Sequence, residues 1–164
     1  VFFDNKEELK RAKEQQLERV ITIFPWIATI DKFQHWIYEN PAHTVEQRTA
    51  KWMEILQEFT SPEIDFSGLD AYRQYSWQRQ LHLFEVPFYY IEYGIAQLGA
   101  IGLWQQYKQN PAKAVDNYLT ALSLGGTRTL PELFEAAGLR FDFSPAHISG
   151  LMQFVKQELD ALEA

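Results

Sequence analysis

The sequence of 164 residues contains no cysteine, so disulfides and thiolate metal sites are excluded. This lack is compatible with a reducing compartment, and we expect a cytoplasmic protein. An excess of positive charge is also missing, since 15 Lys and Arg residues face 22 Asp and Glu residues and the formal net charge is -7. Because phosphate binding requires a basic surface, we expect no nucleic-acid partner. A run of about 18 apolar residues does not occur, so we expect no membrane-spanning helix.

What the sequence does have is apolar and aromatic residues, at 46% and 15% of the chain. This composition is typical of a chain that folds around a core rather than one that stays disordered. Apolar residues recur at helical spacing, and neither strand alternation nor a hairpin signal is evident. We therefore predict an all-α, multi-helix bundle.

Capping residues and prolines predict the helix boundaries. Asn5 followed by Glu8 resembles an N-terminal cap for a helix from Lys6 to about Ile23. Pro25 is tolerated in a first turn, so we predict a second helix that begins there and ends at 39–41. The other predicted helices are one opened by Thr44 and Gln47, one near 70–79, one from Val86 to Lys108, one between Pro111 and Gly125, one capped by Thr129 and Glu132, and one opened by Ser144 and Pro145.

One stretch, "HLFEVPFYYIEYGIAQLGA" at 82–100, carries more hydroxyls than a plain core helix needs. On a helix, Tyr90 and Tyr93 share a stripe, and Tyr89 lies one turn from Tyr93. A tyrosine hydroxyl can donate to a developing oxyanion, and the imidazole of His82 can donate or accept. These side chains could therefore line a cleft that binds a polar group in which negative charge develops.

The same stretch has a packing interpretation. The aromatic stripe could be buried against neighbouring helices with its hydroxyls reaching the surface. Gly94, Gly99 and Gly102 lower helix propensity by about 1 kcal/mol each relative to alanine, which indicates close approach by another helix. From the residues alone, both interpretations stay open.

Other signals of chemistry are weak. His35, His43 and His147 lack the four-residue spacing of a helical zinc-peptidase motif. His35 lies among aromatic residues, which favours a packing role. Neither a glycine-rich phosphate loop nor a GxSxG elbow occurs. We expect no metal site built from these residues.

A different class of function is suggested by "PAKAVDNYLTALSLG", which resembles the second helix of a tetratricopeptide unit. Such arrays need several copies at a period near 34 residues, and the sequence has no second copy. The alternative hypothesis is therefore a stand-alone helical protein-interaction module.

"HLFEVPFYYIEYGIAQLGAIGLW" resembles the C-terminal part of the thimet-oligopeptidase-like zinc metallopeptidases, in particular the bacterial oligoendopeptidase F group. Residues 1–41 resemble the segment that follows the metal site in that family, and 110–144 resemble its closing segment. The resemblance implies a large, mostly helical peptidase with a deep channel. Its zinc is held by two histidines of HExxH and a later glutamate, none of which is present here.

The resemblance therefore implies that 1–164 is a single helical region of a larger catalytic domain whose metal-binding part lies upstream. The full-length protein would be a zinc metalloendopeptidase acting on short peptides, and this chain alone would bind no zinc and be inactive. An apolar face left by the missing part would make association with that part, or a homodimer, plausible.

The resemblance also implies site residues. In the family, a histidine and tyrosines of this region hydrogen-bond the substrate carbonyl and the tetrahedral intermediate. His82 matches the histidine and Tyr93 matches one tyrosine. Tyr90 precedes it at the spacing of some members, and Tyr89 matches the position in others. His82, Tyr90 and Tyr93 are the predicted catalytic residues, and Tyr89 joins them in binding substrate.

Overall fold

The computed structural model describes residues 3–163, and these residues contain no strand. The predicted all-α class is therefore confirmed. A single turn of 3-10 helix, Ser76–Arg79, lies between the third and fourth α-helices. The helices are α1 Lys6–Glu39, α2 Val45–Glu58, α3 Asp70–Arg73, α4 His82–Glu85, α5 Ile91–Gln109, α6 Pro111–Leu124, α7 Leu130–Ala136 and α8 Pro145–Glu163.

Several predicted caps are confirmed. The side chain of Asn5 accepts a hydrogen bond from the backbone N–H of Glu7 at 2.8 Å. Thr44 accepts from the backbone N–H of Gln47 at 3.2 Å, while the Gln47 amide oxygen accepts from the Thr44 N–H at 2.9 Å. Each cap satisfies backbone donors that the first helical turn leaves without an internal partner.

The predicted break at Pro25 is wrong, because α1 runs through it as one helix. A proline inside a helix costs about 3 kcal/mol, since it removes one hydrogen bond and crowds the preceding turn. Val20 on one side and Ile27 and Ile30 on the other are buried. Each such side chain contributes about 1.5–3 kcal/mol, so burial outweighs the proline penalty.

The long helix also begins later than predicted, at Ile91 instead of Val86. Pro87 disfavours helical backbone at the residue before it, and Val86 adopts φ -139° and ψ 77°. Phe88 then has a φ of +59°, in the left-handed region that side chains disfavour. Tyr89 and Tyr90 therefore lie in a turn and not on the predicted helical stripe.

The chain divides into two compact units. Ile21–Gly94 forms one, here called the aromatic unit, and the described parts of Val1–Val20 and Ile95–Ala164 form the other, here called the two-segment unit. In the aromatic unit Phe33 packs against Trp52 and Trp77, with ring centroids 5.0 and 5.6 Å apart. The indole N–H of Trp52 donates to the carbonyl oxygen of Arg73 at 2.8 Å. The core cluster comprises Ile27, Ile30, Phe33, Trp52, Ile55, Trp77 and Tyr90.

The two-segment unit has an aliphatic core. Its most deeply buried side chains on α5 and α8 are those of Ile101, Leu151 and Val155. A Cβ added at Gly99 would lie 3.0 Å from the ring of Phe134 in α7, which accounts for a glycine there. At Gly102 the corresponding distance, to Leu139, is also 3.0 Å. The predicted close approach by another helix is found at Gly99, where a side chain of α7 packs on the backbone; the residue opposite Gly102 lies outside α7, and a Cβ at Gly94 would make only ordinary contact with Ile27 at 3.5 Å.

Candidate functional site

His82 and the three tyrosines gather on one side of the aromatic unit. The centroid of the imidazole ring lies 4.9 Å from that of Tyr90, 5.6 Å from Tyr93 and 6.0 Å from Tyr89. The Nε2 atom of His82 is 3.2 Å from the hydroxyl oxygen of Tyr93. Residues separated by up to eleven positions therefore form a single cluster of hydrogen-bonding groups.

Three local structures place these side chains. His82 opens the short helix α4, Tyr89 and Tyr90 follow in the turn, and Tyr93 lies in the first turn of α5. The turn is held by Gln34 of α1, whose amide oxygen accepts from the backbone N–H of Phe88 at 2.9 Å. Gln34 is buried, and its Nε2 has no hydrogen-bond partner within the described part of the chain. This hydrogen bond to Gln34 of α1 stabilises the left-handed backbone conformation at Phe88.

The tyrosines differ in exposure. Tyr90 is 9% exposed, whereas Tyr89 and Tyr93 are 48% and 45% exposed. Burial raises the pKa of the Tyr90 phenol above its ordinary value of 10.0, and hydrogen bonding with the Trp26 side chain offsets part of that rise. Tyr90 therefore keeps its proton at neutral pH, whereas Tyr89 and Tyr93 are the members of the cluster that are accessible from solvent.

Gln80 and Trp26, which the sequence did not single out as functional, extend the cluster toward the core of the aromatic unit. The amide nitrogen of Gln80 lies 2.6 Å from Nδ1 of His82, and the amide oxygen of Gln80 is 3.2 Å from the indole nitrogen of Trp26. The Arg79 guanidinium lies over the Trp26 ring, 4.6 Å from its centroid. The only sequence signal for Gln80 is its position two residues before the histidine.

The other histidines take part in packing and local structure. His35 packs against Phe88 with ring centroids 4.9 Å apart, and its Nε2 is 3.6 Å from a carboxylate oxygen of Asp31. Burial raises the pKa of Asp31, and His35 offsets part of that effect. The Nδ1 atom of His43 is 2.6 Å from the carbonyl oxygen of Asn40. Within residues 3–163 no three His, Cys, Asp or Glu side chains are grouped to hold a metal ion.

The cluster is suited to stabilising negative charge on an oxygen. Two half-exposed phenols and an imidazole provide O–H and N–H groups, and Gln80 and the buried Tyr90 support them from below. Donors held in place before charge develops stabilise that charge without reorganisation.

None of the helices in the described part of the chain is both long and apolar enough to cross a membrane.

Comparison with known proteins gives a consistent result. The sequence pattern of Peptidase family M3 matches residues 2–152. An oligoendopeptidase F homolog of Borreliella burgdorferi is 25% identical over 125 residues, which are 74% of this chain and 20% of that protein.

Solved structures agree. PZ peptidase A, determined with an inhibitor, superposes with a TM-score of 0.87 at 30% identity, over 95% of this chain and 28% of that one. A crystal structure described as an oligoendopeptidase F gives a TM-score of 0.83 at 31% identity, over 94% of this chain and 27% of that one. The chain thus spans between a fifth and just over a quarter of these relatives. With nearly its whole length matched by one family, the chain belongs to peptidase family M3.

Proposed function

We propose that this chain is the C-terminal portion of a zinc-dependent oligoendopeptidase that hydrolyses peptide bonds in short peptides. The observation that carries the proposal is the pairing of His82 Nε2 with the Tyr93 hydroxyl, 3.2 Å apart, in a chain of peptidase family M3. The match over residues 2–152 favours this function over a free-standing interaction module.

In this proposal the chain supplies oxyanion-stabilising donors. When a scissile carbonyl becomes tetrahedral, its oxygen gains negative charge, and an O–H group aimed at that oxygen lowers the barrier. Tyr93 is the main donor because the residue is half-exposed and its hydroxyl is in contact with His82. Tyr89, equally exposed, contacts the substrate beside it.

In this proposal Tyr90 acts from the buried side of the His82 ring. Its ring meets the His82 imidazole edge to face, at 4.9 Å and an interplanar angle of 63°. Because Tyr90 is buried, it offers the substrate little contact surface. We therefore propose that its role is to hold the His82 ring in place during catalysis. Tyr89 and Tyr90 each match a tyrosine position of some family members, and their difference in exposure favours Tyr89 as the tyrosine that faces the substrate.

The zinc of the family does not fit the residues described here, because no group of three possible ligands exists among them. We propose that its ligands belong to the remainder of the protein. When bound, the metal would polarise the carbonyl and activate water. The chain alone would then be inactive, and the rest of the protein would be its natural partner; a homodimer and a cytoplasmic location complete the proposal.

The decisive experiment is Tyr93→Phe in the intact natural protein. It removes one hydroxyl and keeps the ring, so we expect kcat on a short fluorogenic peptide to fall on the order of a hundredfold, as for loss of one oxyanion donor. Tyr72→Phe is the matched control, because Tyr72 belongs to the same unit and is 76% exposed outside the cluster. Equal turnover by the two variants would refute the assignment.

A further inference from the structure

We infer that Gln80 and Trp26 are positioning residues that fix which nitrogen of His82 carries the proton, and so make the Tyr93 hydroxyl a donor toward the substrate. The inference rests on the proposed function only for its effect on turnover. The order of the hydrogen bonds is a property of this chain and can be tested separately.

The first step is the orientation of the Gln80 amide. An indole N–H can only donate, and Trp26 Nε1 lies 3.2 Å from Oε1 of Gln80. Turning the amide by 180° would set its NH₂ group against the indole N–H, donor against donor. The oxygen of Gln80 therefore faces Trp26 and its NH₂ group faces His82.

The second step is the tautomer of His82. The Gln80 NH₂ group has no acceptor capacity, and its nitrogen lies 2.6 Å from Nδ1 of the imidazole. Nδ1 must then present a lone pair. A neutral imidazole with an unprotonated Nδ1 carries its only proton on Nε2.

The third step reaches Tyr93. The protonated Nε2 donates to the Tyr93 oxygen across 3.2 Å, so this oxygen is the acceptor and the phenol hydrogen is left free. The side chain of Tyr93 is half-exposed, so that hydrogen is available to a ligand. Hydrogen bonds in series polarise one another, which strengthens the last donor. With the opposite tautomer, Nε2 would capture the phenol hydrogen, and lone pairs would face a substrate oxygen.

Three contacts hold the inner end of the series. The backbone N–H of Gln80 donates to the carbonyl oxygen of Trp77 at 3.0 Å, at the end of the 3-10 turn. The Arg79 guanidinium lies over the Trp26 indole at 4.6 Å. Trp26 also packs edge to face on the buried Trp52, with centroids 6.0 Å apart. The first donor is therefore anchored to the core of the aromatic unit.

The test uses ring-¹⁵N-labelled histidine in the intact natural protein, with the His82 signals assigned by their loss in His82→Gln. Proton-coupled ¹⁵N spectra report which ring nitrogen carries hydrogen. We expect Nε2 protonated and Nδ1 bare in the unmodified protein. A proton on Nδ1 of the neutral ring would overturn the inference, whatever the kinetics show.

The variant that reverses the series is Gln80→Glu, which has nearly the same shape. Its second carboxylate oxygen can only accept, so a neutral His82 ring should move its proton to Nδ1 and kcat should fall toward about a hundredfold with KM little changed. Gln78→Glu adds the same charge two residues away at an exposed position and should leave both readouts unchanged.

The outcomes separate the two proposals. A switched tautomer with unchanged kcat would refute the coupling of Gln80 to turnover, even if Tyr93→Phe remains defective. An unchanged tautomer in Gln80→Glu would refute the positioning role directly. Unchanged kcat in Tyr93→Phe would refute the proposed function, while the spectra would still decide the order of the hydrogen bonds.

Discussion

The two units of the chain bury different kinds of side chain. Of the seven largest fully buried side chains in the described residues, six lie in the aromatic unit, while Val155 alone belongs to the two-segment unit. The aromatic unit buries Phe33, Trp52 and Trp77, whereas rings of the two-segment unit such as Trp104 and Phe154 stay partly exposed. The candidate site lies on the unit that buries more large side chains.

This difference has a physical consequence for the site. Large rings that interlock leave few alternative packings, so the groups attached to them keep their positions. Gln34 and Trp26 both belong to α1 within the aromatic unit. Gln34 holds the turn at Phe88, and Trp26 holds the amide of Gln80. Preorganised donors need such support, because displacement by about 1 Å weakens catalysis.

The largest expected difference in stability between the two units comes from matched tryptophan substitutions. Trp52 is 0% exposed, so Trp52→Ala should lower the free energy of unfolding of the aromatic unit by about 3–5 kcal/mol. Trp104→Ala, at a partly exposed position packed on Phe154 at 4.7 Å, should cost the two-segment unit less. Hydrogen exchange read by mass spectrometry reports each unit. Equal losses would remove the proposed difference between the two cores.

An intermediate effect is expected at two glycines with left-handed backbone. Gly138 has φ +70°, and a Cβ there would lie 2.6 Å from Nδ2 of Asn117. Gly68 has φ +78° and nothing within 4 Å. Gly138→Ala should therefore destabilise the two-segment unit by about 2–3 kcal/mol, and Gly68→Ala the aromatic unit by about 1 kcal/mol. Thermal unfolding of both variants measures the difference, and a larger loss for Gly68→Ala would contradict the steric argument.

The smallest effect concerns the capping boxes, because α2 uses the neutral Gln47 where α7 uses Glu132. Hydrogen bonds from the backbone and then the side chain of Thr129 lower the pKa of Glu132 below its ordinary value of 4.5. Because the folded state favours the ionised carboxyl, Glu132 contributes stability above about pH 4.5. This contribution is lost as the pH falls through the pKa of Glu132 in the folded state. Amide exchange in α7, corrected for its intrinsic pH dependence, should therefore rise in acid.

Glu132→Gln makes the α7 box chemically like that of α2 and should remove this acid dependence. The comparison is made within α7, because Glu46 near the start of α2 also has a lowered pKa, through its own backbone N–H and the Thr44 side chain. If α7 in Glu132→Gln still loosened in acid as before, the carboxylate would not be its cause.

Local signals predicted most helix boundaries because they act within one turn. Thr44 with Gln47, Pro111 at the start of α6 and Gly125 at its end each mark a boundary through the backbone and side chains of neighbouring residues. The wrong boundaries at Pro25 and at Val86 depend on partners far along the chain, and the single helix predicted near 70–79 is divided into α3 and the 3-10 turn Ser76–Arg79. Burial across α1 overrides its proline, and Gln34 stabilises a turn 54 residues away.

The candidate site divides in the same way. The stretch 82–93 and its resemblance to a peptidase family pointed to His82, Tyr89, Tyr90 and Tyr93. Spacing on an assumed helix could not tell which phenols are exposed, because 86–90 is not helical. The sequence did not single out Trp26 for function, and its contact with Gln80 also spans 54 residues.

The sequence by itself determined the all-α class and the caps, since composition, periodicity and neighbouring residues carry that information, and its resemblance to known peptidases indicated the family. Only the tertiary structure decided the exposure of the tyrosines, the backbone at Phe88 and the partner of each nitrogen of His82. These features depend on α1 packing against 77–90 in the aromatic unit, and contacts between distant residues leave no periodic trace in one sequence.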